Sequence, residues 1–182
     1  MTTQTVIGIV GLPGSGKSTA LEIVKKIAPI ITVGDVIRKE VIRRGLKINP
    51  VTLGLISKQI RLESGNQIVA QKCIELIKNL KDPVVLVDGI RSMDEVRLFR
   101  KHWNFQIIAI ICDEDVRHKR LTDRGRSDDS LNVYDIIERD KREINFGLTE
   151  VIDQADHKVQ NNSDIKSLKK KIKDIEDIFK QY

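Results

Sequence analysis

With two cysteines in 182 residues, the chain has too few thiols for a disulfide framework or a zinc cage. Cys73 falls in a stretch of helical periodicity and Cys112 closes an apolar run. Neither belongs to a C-x-x-C pair, so both are read as reduced, buried thiols, and a metal-binding lid is not expected. Aromatic residues make up only 4%, and none is interleaved among the basic clusters, so the stacking platform of a single-stranded nucleic-acid binder is missing. No stretch approaches the ~18 consecutive apolar residues of a membrane helix. The opening MTTQTVIG has neither a basic n-region nor an apolar h-region, so the expectation is a cytoplasmic protein with no membrane partner. Repeats and low-complexity linkers are also absent.

What is present is 40% apolar residues and a net charge of +6. That length and apolar content fit one α/β domain over residues 1–182, large enough for a core without staples. The densest basic run, Lys169-Lys170-Lys171 with Lys166 and Lys173, sits on a C-terminal segment in which Ile165, Leu168, Ile172, Ile175 and Phe179 recur at three- and four-residue spacing. It reads as an amphipathic helix with a solvated face, which argues against a nucleic-acid surface without excluding one.

Residues 11–18 read GLPGSGKS, a full match to the phosphate-loop pattern G-x-x-x-x-G-K-[ST]. The glycines let backbone N–H groups turn onto phosphate oxygens, Lys17 supplies a mobile cation, and Ser18 offers a hydroxyl to Mg²⁺. An apolar run, Thr5 to Val10, precedes the loop, and Ala20, Leu21, Ile23, Val24 and Ile27 follow at helical spacing. Strand, loop and helix therefore stand in the order that aims a helix N-terminus at the phosphate. Gly11, Gly14, Ser15, Gly16, Lys17, Ser18 and Thr19 are the expected ATP-binding residues.

Strands are expected near 6–10, 30–33, 84–87, 105–112 and 157–160. Helices are expected at about 17–27, 36–44, 51–63, 67–80, 93–102, 115–124, 131–145 and 164–181. This alternation implies a five-stranded, mostly parallel sheet flanked by helices on both faces, a three-layer P-loop sandwich. Ligands of such sheets lie beyond the carboxyl ends of the strands. Two strand ends there carry chemistry: Gly34-Asp35-Val36-Ile37-Arg38 and Asp88-Gly89-Ile90-Arg91. Asp88, closing an apolar strand, is placed to hold Mg²⁺ with Ser18 or to accept a proton. Arg38 and Arg91 could bind phosphate in a bidentate way that lysine could not. Arg117, Arg120 and Arg124 share one helical face and run into Gly125-Arg126-Ser127-Asp128-Asp129. His102, His118 and His157 have no neighbours in sequence that suggest catalysis.

The segments TVGDVIRKEVIRRG and VVLVDGIR resemble the acceptor-holding elements of adenylate kinases and related nucleoside monophosphate kinases, although the second lacks the family's proline and is one residue shorter. The resemblance implies that Asp35 and Arg38 line an acceptor site within a helical segment of about 35–80. It also implies that Arg91 grips the acceptor phosphate and that Asp88 lies near metal and reacting phosphates. By the same resemblance, about 115–130 is a short lid whose Arg117, Arg120, Arg124 and Arg126 close over the polyphosphate; the next helix carries Arg139 and Arg142 rather than an arginine at the family's interval, and the sequence does not choose between them. Residues 155–163 resemble the strand and turn beside the nucleotide base in dephospho-coenzyme A kinases, which makes Asn161, Asn162 and Ser163 base-site candidates, although Asn-Asn-Ser is equally good helix-capping chemistry. Over its length the chain resembles a group of small archaeal adenylate-kinase-related P-loop kinases or ATPases. The implied activity is ATP- and Mg²⁺-dependent phosphoryl transfer to a small phosphate-bearing acceptor, foremost a nucleoside monophosphate, with Lys17, Asp88, Arg120 and Arg124 as catalytic residues. Dephospho-coenzyme A kinase is the nearest alternative. A nucleotide-dependent switch or assembly ATPase acting on a protein or RNA is the alternative of another class.

Overall fold

The structure of the protein is a computed structural model that describes residues 4–124 and 133–175. The elements run β1 (Thr5–Val10), α1 (Lys17–Val24), β2 (Ile30–Thr32), α2 (Val33–Arg43), α3 (Pro50–Ser64), α4 (Ile68–Lys78) and β3 (Val84–Asp88). They continue with α5 (Met93–Arg100), β4 (Gln106–Ile111), α6 (Glu114–Arg124), α7 (Val133–Asn145), α8 (Leu148–Asp153), β5 (His157–Gln160) and α9 (Ile165–Asp174). The strands form one parallel sheet in the order β2-β3-β1-β4-β5. Among the described residues no helix is long and apolar enough to cross a membrane.

Strand periodicity divides the core into two layers. On β1, β3 and β4, Val6, Val10, Val85, Val87, Ile107 and Ala109 face the layer built from α2, α3, α4, α5 and α8. The alternate residues Ile7, Ile9, Val84, Leu86, Ile108 and Ile110 face α1 and α9. Side chains at successive strand positions point to opposite faces, so continuous apolar strands must be covered on both. Local chemistry sets several helix starts: the Asn49 side chain accepts from Thr52 N ahead of Pro50, and Asp164 accepts from Ser167 N at α9.

Three details differ from expectation. Helix α2 begins directly at Val33, so β2 is only three residues long; Gly34 has no positive φ and does not break the helix, and Asp35 places a carboxylate in its first turn. Helix α8 was not foreseen, because six residues opening at the left-handed Gly147 are too few to show a periodicity. The helix expected to reach 181 is described only to Asp174. Cys73 and Cys112 are free and buried. Burial pushes the Cys73 thiol up to about 12, so it carries no thiolate near neutral pH.

The helical hairpin α2–α3 is joined by a buried carboxylate. Glu40 accepts from Arg43 and Arg44, and Arg44 reaches on to Glu63 at 2.7 Å. Hydrogen bonds from Arg43 and Arg44 hold the Glu40 carboxyl at about 2, well below its ordinary 4.5. A carboxylate depressed in the folded state stabilises fully above its unfolded value, and that contribution is lost as pH falls through the folded one. Glu40→Gln is therefore expected to cost about 1 kcal/mol at pH 7. The difference from wild type should shrink from pH 4.5 downward and vanish near pH 2 in parallel denaturation series.

Candidate functional site

The site begins where β1, buried along its whole length, ends at Val10 and the chain turns through residues 11–16 into α1. Gly14 (φ 79°) and Gly16 (φ 99°) both occupy the left-handed region. A Cβ at Gly14 would lie 2.7 Å from the Arg117 carbonyl oxygen, and one at Gly16 would lie 2.2 Å from Asn161 Nδ2. Conformation and space both require glycine at these two positions. Gly16 is the N-cap of α1 and supplies no side-chain cap, so the first amides of the helix are left for an anion. The loop and α1 border a cavity of about 900 Å³ lined by Gly14, Gly16, Lys17, Ser18 and Thr19, with Arg120, Arg139, Asn161, Ser163 and Ile165 around it. That is room for a nucleoside triphosphate, near the top of the ~300–1,000 Å³ range of small-molecule sites.

Strand register sets the next contact. Ile9 of β1 pairs with Asp88 of β3, and Thr32 of β2 pairs with Asp88 from the other side. This puts the Asp88 carboxylate beside the loop, where Oδ1 accepts from Lys17 Nζ at 2.7 Å. The loop lysine thus rests on the strand-end carboxylate.

A second, smaller cavity of about 70 Å³ lies on the other side of Lys17, lined by Gly11, Pro13, Gly89, Ile90, Arg91, Arg139, Glu143 and Leu148. Pro13, Lys17 and Arg139 line both cavities. Arg91 is held here on three sides. Its guanidinium donates to Glu143 through Nε and Nη2 and to the Gly89 carbonyl at 3.0 Å, and its backbone N–H donates to Glu95 Oε2 at 2.8 Å. Glu95 Oε1 accepts from the buried Arg61 at 2.7 Å, and Arg61 lies 4.9 Å over the Phe146 ring. Burial pushes Glu143 up, but the charges of Arg91, Arg139 and Arg142 more than offset it and hold the carboxyl below its usual range. Burial likewise opposes the charge on Arg91, and Glu143 overcomes it and raises the guanidinium's affinity for its proton. Arg38 sits in the first turns of α2, donates to Asp35 at 2.5 Å, and lines neither cavity.

The arginines expected in a lid divide differently. Arg117 is 4% exposed and turned inward: Nη1 donates to the Pro13 carbonyl at 2.9 Å and Nη2 pairs with Asp140 at 2.8 Å. It lies against the phosphate loop at Pro13. Arg120 lines the larger cavity, but its guanidinium donates to the carbonyls of Asn161 (2.9 Å) and Ser163 (2.7 Å). Arg124 ends α6, and its side chain lies outside the described residues, as does Arg126. On α7 it is Arg139 that borders both cavities, whereas Arg142 packs on α3, where a Cβ at Gly54 would lie 3.2 Å from its Nη1. The Asn161 side chain donates to the Ser15 carbonyl at 2.8 Å, and Asn162 Oδ1 accepts from Asp113 N, so both amides are engaged with backbone groups. Ser163 lines the cavity. His118 stands 3.4 Å from Asp140, outside both cavities.

Glu143, Glu95, Arg61 and Asp140 were not anticipated. Each is a charged residue on a helix, where the common reading is a solvated face. Only the partner brought in by the fold, from 52, 34 or 23 positions away, makes it part of the site.

By fold and motif this is a P-loop protein built as a three-layer α/β sandwich. A family model described as an AAA domain matches residues 10–136. The UPF0200 protein of Methanosarcina mazei is 38% identical over 173 residues, covering 93% of this chain and 92% of that one. The UPF0200 protein of Methanocaldococcus jannaschii is 46% identical over 159 residues, covering 86% and 81%. The chain belongs to this AAA-domain family and to the UPF0200 proteins. Among solved structures, TT1252 from Thermus thermophilus shares the fold at a TM-score of 0.65 and 17% identity, covering 95% of this chain and 96% of that one. Shikimate kinase from Aquifex aeolicus does so at 0.52 and 20%, covering 92% and 93%.

Gly16→Ala is expected to destabilise by about 1–3 kcal/mol from backbone strain, with the Asn161 overlap added. It should also abolish nucleotide binding. Gly45→Ala is its control: φ is also positive there (69°), but nothing lies within 4 Å of the added carbon, so only strain of about 1 kcal/mol is expected. Thermal melts and ATP titrations of the two variants check both outcomes.

Proposed function

We propose that the protein transfers a phosphoryl group from ATP to a small phosphate-bearing acceptor, with a nucleoside monophosphate as the first candidate. The observation that carries this reading is the pair of cavities that meet at Lys17 and Arg139. A hydrolase needs a donor site and a water; a second cavity of about 70 Å³, walled by two arginines beyond the donor lysine, has room for one phosphate group of an acceptor whose remainder would extend beyond it.

In this reading ATP occupies the larger cavity, with its phosphates on the amides of the loop and α1. Lys17 leaves Asp88 for the phosphate oxygens, which lie closer to the positive end of α1. Ser18 and the freed Asp88 supply a hydroxyl and one carboxylate. This donor set fits Mg²⁺, which prefers few protein ligands and completes its shell with phosphate oxygens and water. Bound there, Mg²⁺ would neutralise charge on the transferring group. Arg139 spans the path between the cavities and stabilises the equatorial oxygens of the phosphoryl group in flight. Arg91 grips the acceptor phosphate once it is released from Glu143, and Arg38 with Asp35, which line neither cavity, would meet only the part of the acceptor that extends beyond the smaller one. Arg120 shapes the wall on the base side through the carbonyls it holds.

One observation favours a second reading, an ATPase that acts on a macromolecular partner without a small acceptor. Both acceptor-side arginines already carry carboxylate partners, Arg91 with Glu143 and Arg38 with Asp35. The readings part on acceptor dependence.

Lys17→Ala should reduce turnover by at least ~100-fold; near wild-type ATP consumption in that variant refutes the donor assignment. In steady-state kinetics, Arg91→Ala and Arg38→Ala should raise the acceptor KM at least ~10-fold while changing the ATP KM less than ~2-fold. Equal effects on both substrates would favour the ATPase.

A further inference from the structure

We infer that Arg117 and Asn161 are positioning residues that aim two phosphate-loop amides, each by gripping the carbonyl oxygen of the same peptide unit from outside the loop. The inference rests on the proposed function only in taking a polyphosphate as the loop's ligand.

A peptide unit is planar and trans, so its C=O and N–H point in opposite directions. The Pro13 carbonyl shares its unit with the Gly14 N–H, and the Ser15 carbonyl shares its unit with the Gly16 N–H. Arg117 Nη1 donates to the Pro13 carbonyl at 2.9 Å, and Asn161 Nδ2 donates to the Ser15 carbonyl at 2.8 Å. Each grip fixes the opposite end of its unit, and Gly14 and Gly16 both line the donor cavity. Between them, Ser15 N donates back to Leu12 O at 3.1 Å, closing the turn. The two glycines are the left-handed positions of the loop, so without outside restraint these units are the ones with most freedom to rotate. A rotated unit would present a carbonyl oxygen to the triphosphate, where it repels.

Both donors are themselves fixed. Arg117 is 4% exposed, its second arm is held by Asp140 on α7, and Gly14 packs on its backbone. Asn161 is 4% exposed, its N–H donates to Ile111 O at 2.7 Å, and its carbonyl accepts from Arg120. Gly16 approaches the Asn161 amide so closely that no Cβ fits between them. A guanidinium on the Pro13 oxygen also polarises the peptide and makes the Gly14 N–H a stronger donor. The cation on α6 thereby acts on phosphate through a peptide bond without touching it.

The test uses two variants and two ligands. Arg117→Met with Asp140→Leu removes the first grip while replacing a buried ion pair by apolar side chains, an exchange that proteins often tolerate. Asn161→Leu removes the second grip without touching a charge. Titrations with ATP and with adenosine, well below each variant's melting temperature, should show ATP affinity falling on the order of 10-fold or more. Adenosine affinity should fall far less than ATP affinity, because only phosphate meets the aimed amides. The Gly14 and Gly16 amide resonances should shift more than those of Ser18 and Thr19. A variant that melts cooperatively and binds ATP as wild type does overturns the inference, as does an equal loss for ATP and adenosine. If the double variant does not fold, Asn161→Leu decides by the same criteria. Wild-type protein that binds ATP but transfers nothing to an acceptor would refute the kinase reading and leave this inference standing, since it is read from binding alone.

Discussion

The site depends on the parallel pairing of β1 between β3 and β4. β1 is buried on every residue, and its register with β3 puts Asp88 opposite Ile9, two residues before the phosphate loop begins. The Lys17–Asp88 contact, the position of the loop over the sheet edge and the direction of α1 all follow from that register. Slipping a strand by one residue would exchange its two apolar faces, so the same packing that builds the core prevents the site from drifting. The two core layers contribute different parts. The layer with α1 and α9 carries the larger cavity, and the layer with α2, α3, α4, α5 and α8 carries the second cavity and Arg91.

Electrostatically, the cations of the site are balanced by internal pairs: Lys17 with Asp88, Arg91 with Glu143, Arg38 with Asp35 and Arg117 with Asp140. Clustered cations would otherwise repel one another and cost stability, while leaving them in water would cost the preorganisation that catalysis needs. The pairs differ in what a phosphate can do to them. Lys17 and Arg91 border cavities, where an anion can compete for them. Arg117 is buried against a carbonyl and a carboxylate and is best placed to stay where it is. The network from Arg61 through Glu95 to the Arg91 backbone ties helix α3 to the second cavity, so a change at that helix reaches the arginine through buried groups.

Much of this was legible in the sequence because it is local. The phosphate loop is contiguous, β1, β3 and β4 are apolar runs, and the doubly covered parallel sheet follows from their alternation with helices. The Asp88 strand end was legible for the same reason. What was not legible depends on tertiary partners. Nothing in R-H-K-R-L-T-D-R tells that Arg117 turns inward under Pro13 while Arg120 faces the cavity, because both share one helical face. The choice between Arg139 and Arg142 is a matter of which turn of α7 faces the sheet edge and which faces Gly54. Asn161 reads as a base contact or a helix cap, and the structure spends its amide on a carbonyl 146 positions away. Helix α8 and the early start of α2 turn on glycines, one at positive φ and one not, a distinction made by surroundings rather than by the residue.

The central claim is that the loop is the donor half of a two-substrate site. The most direct measurement is mass spectrometry of the products after incubating the wild-type protein with ATP, Mg²⁺ and a mixed pool of small metabolites that includes nucleoside monophosphates and dephospho-coenzyme A. The account predicts one new phosphorylated small molecule appearing in step with ADP. Release of inorganic phosphate in step with ADP, with no metabolite gaining a phosphoryl group, would contradict it.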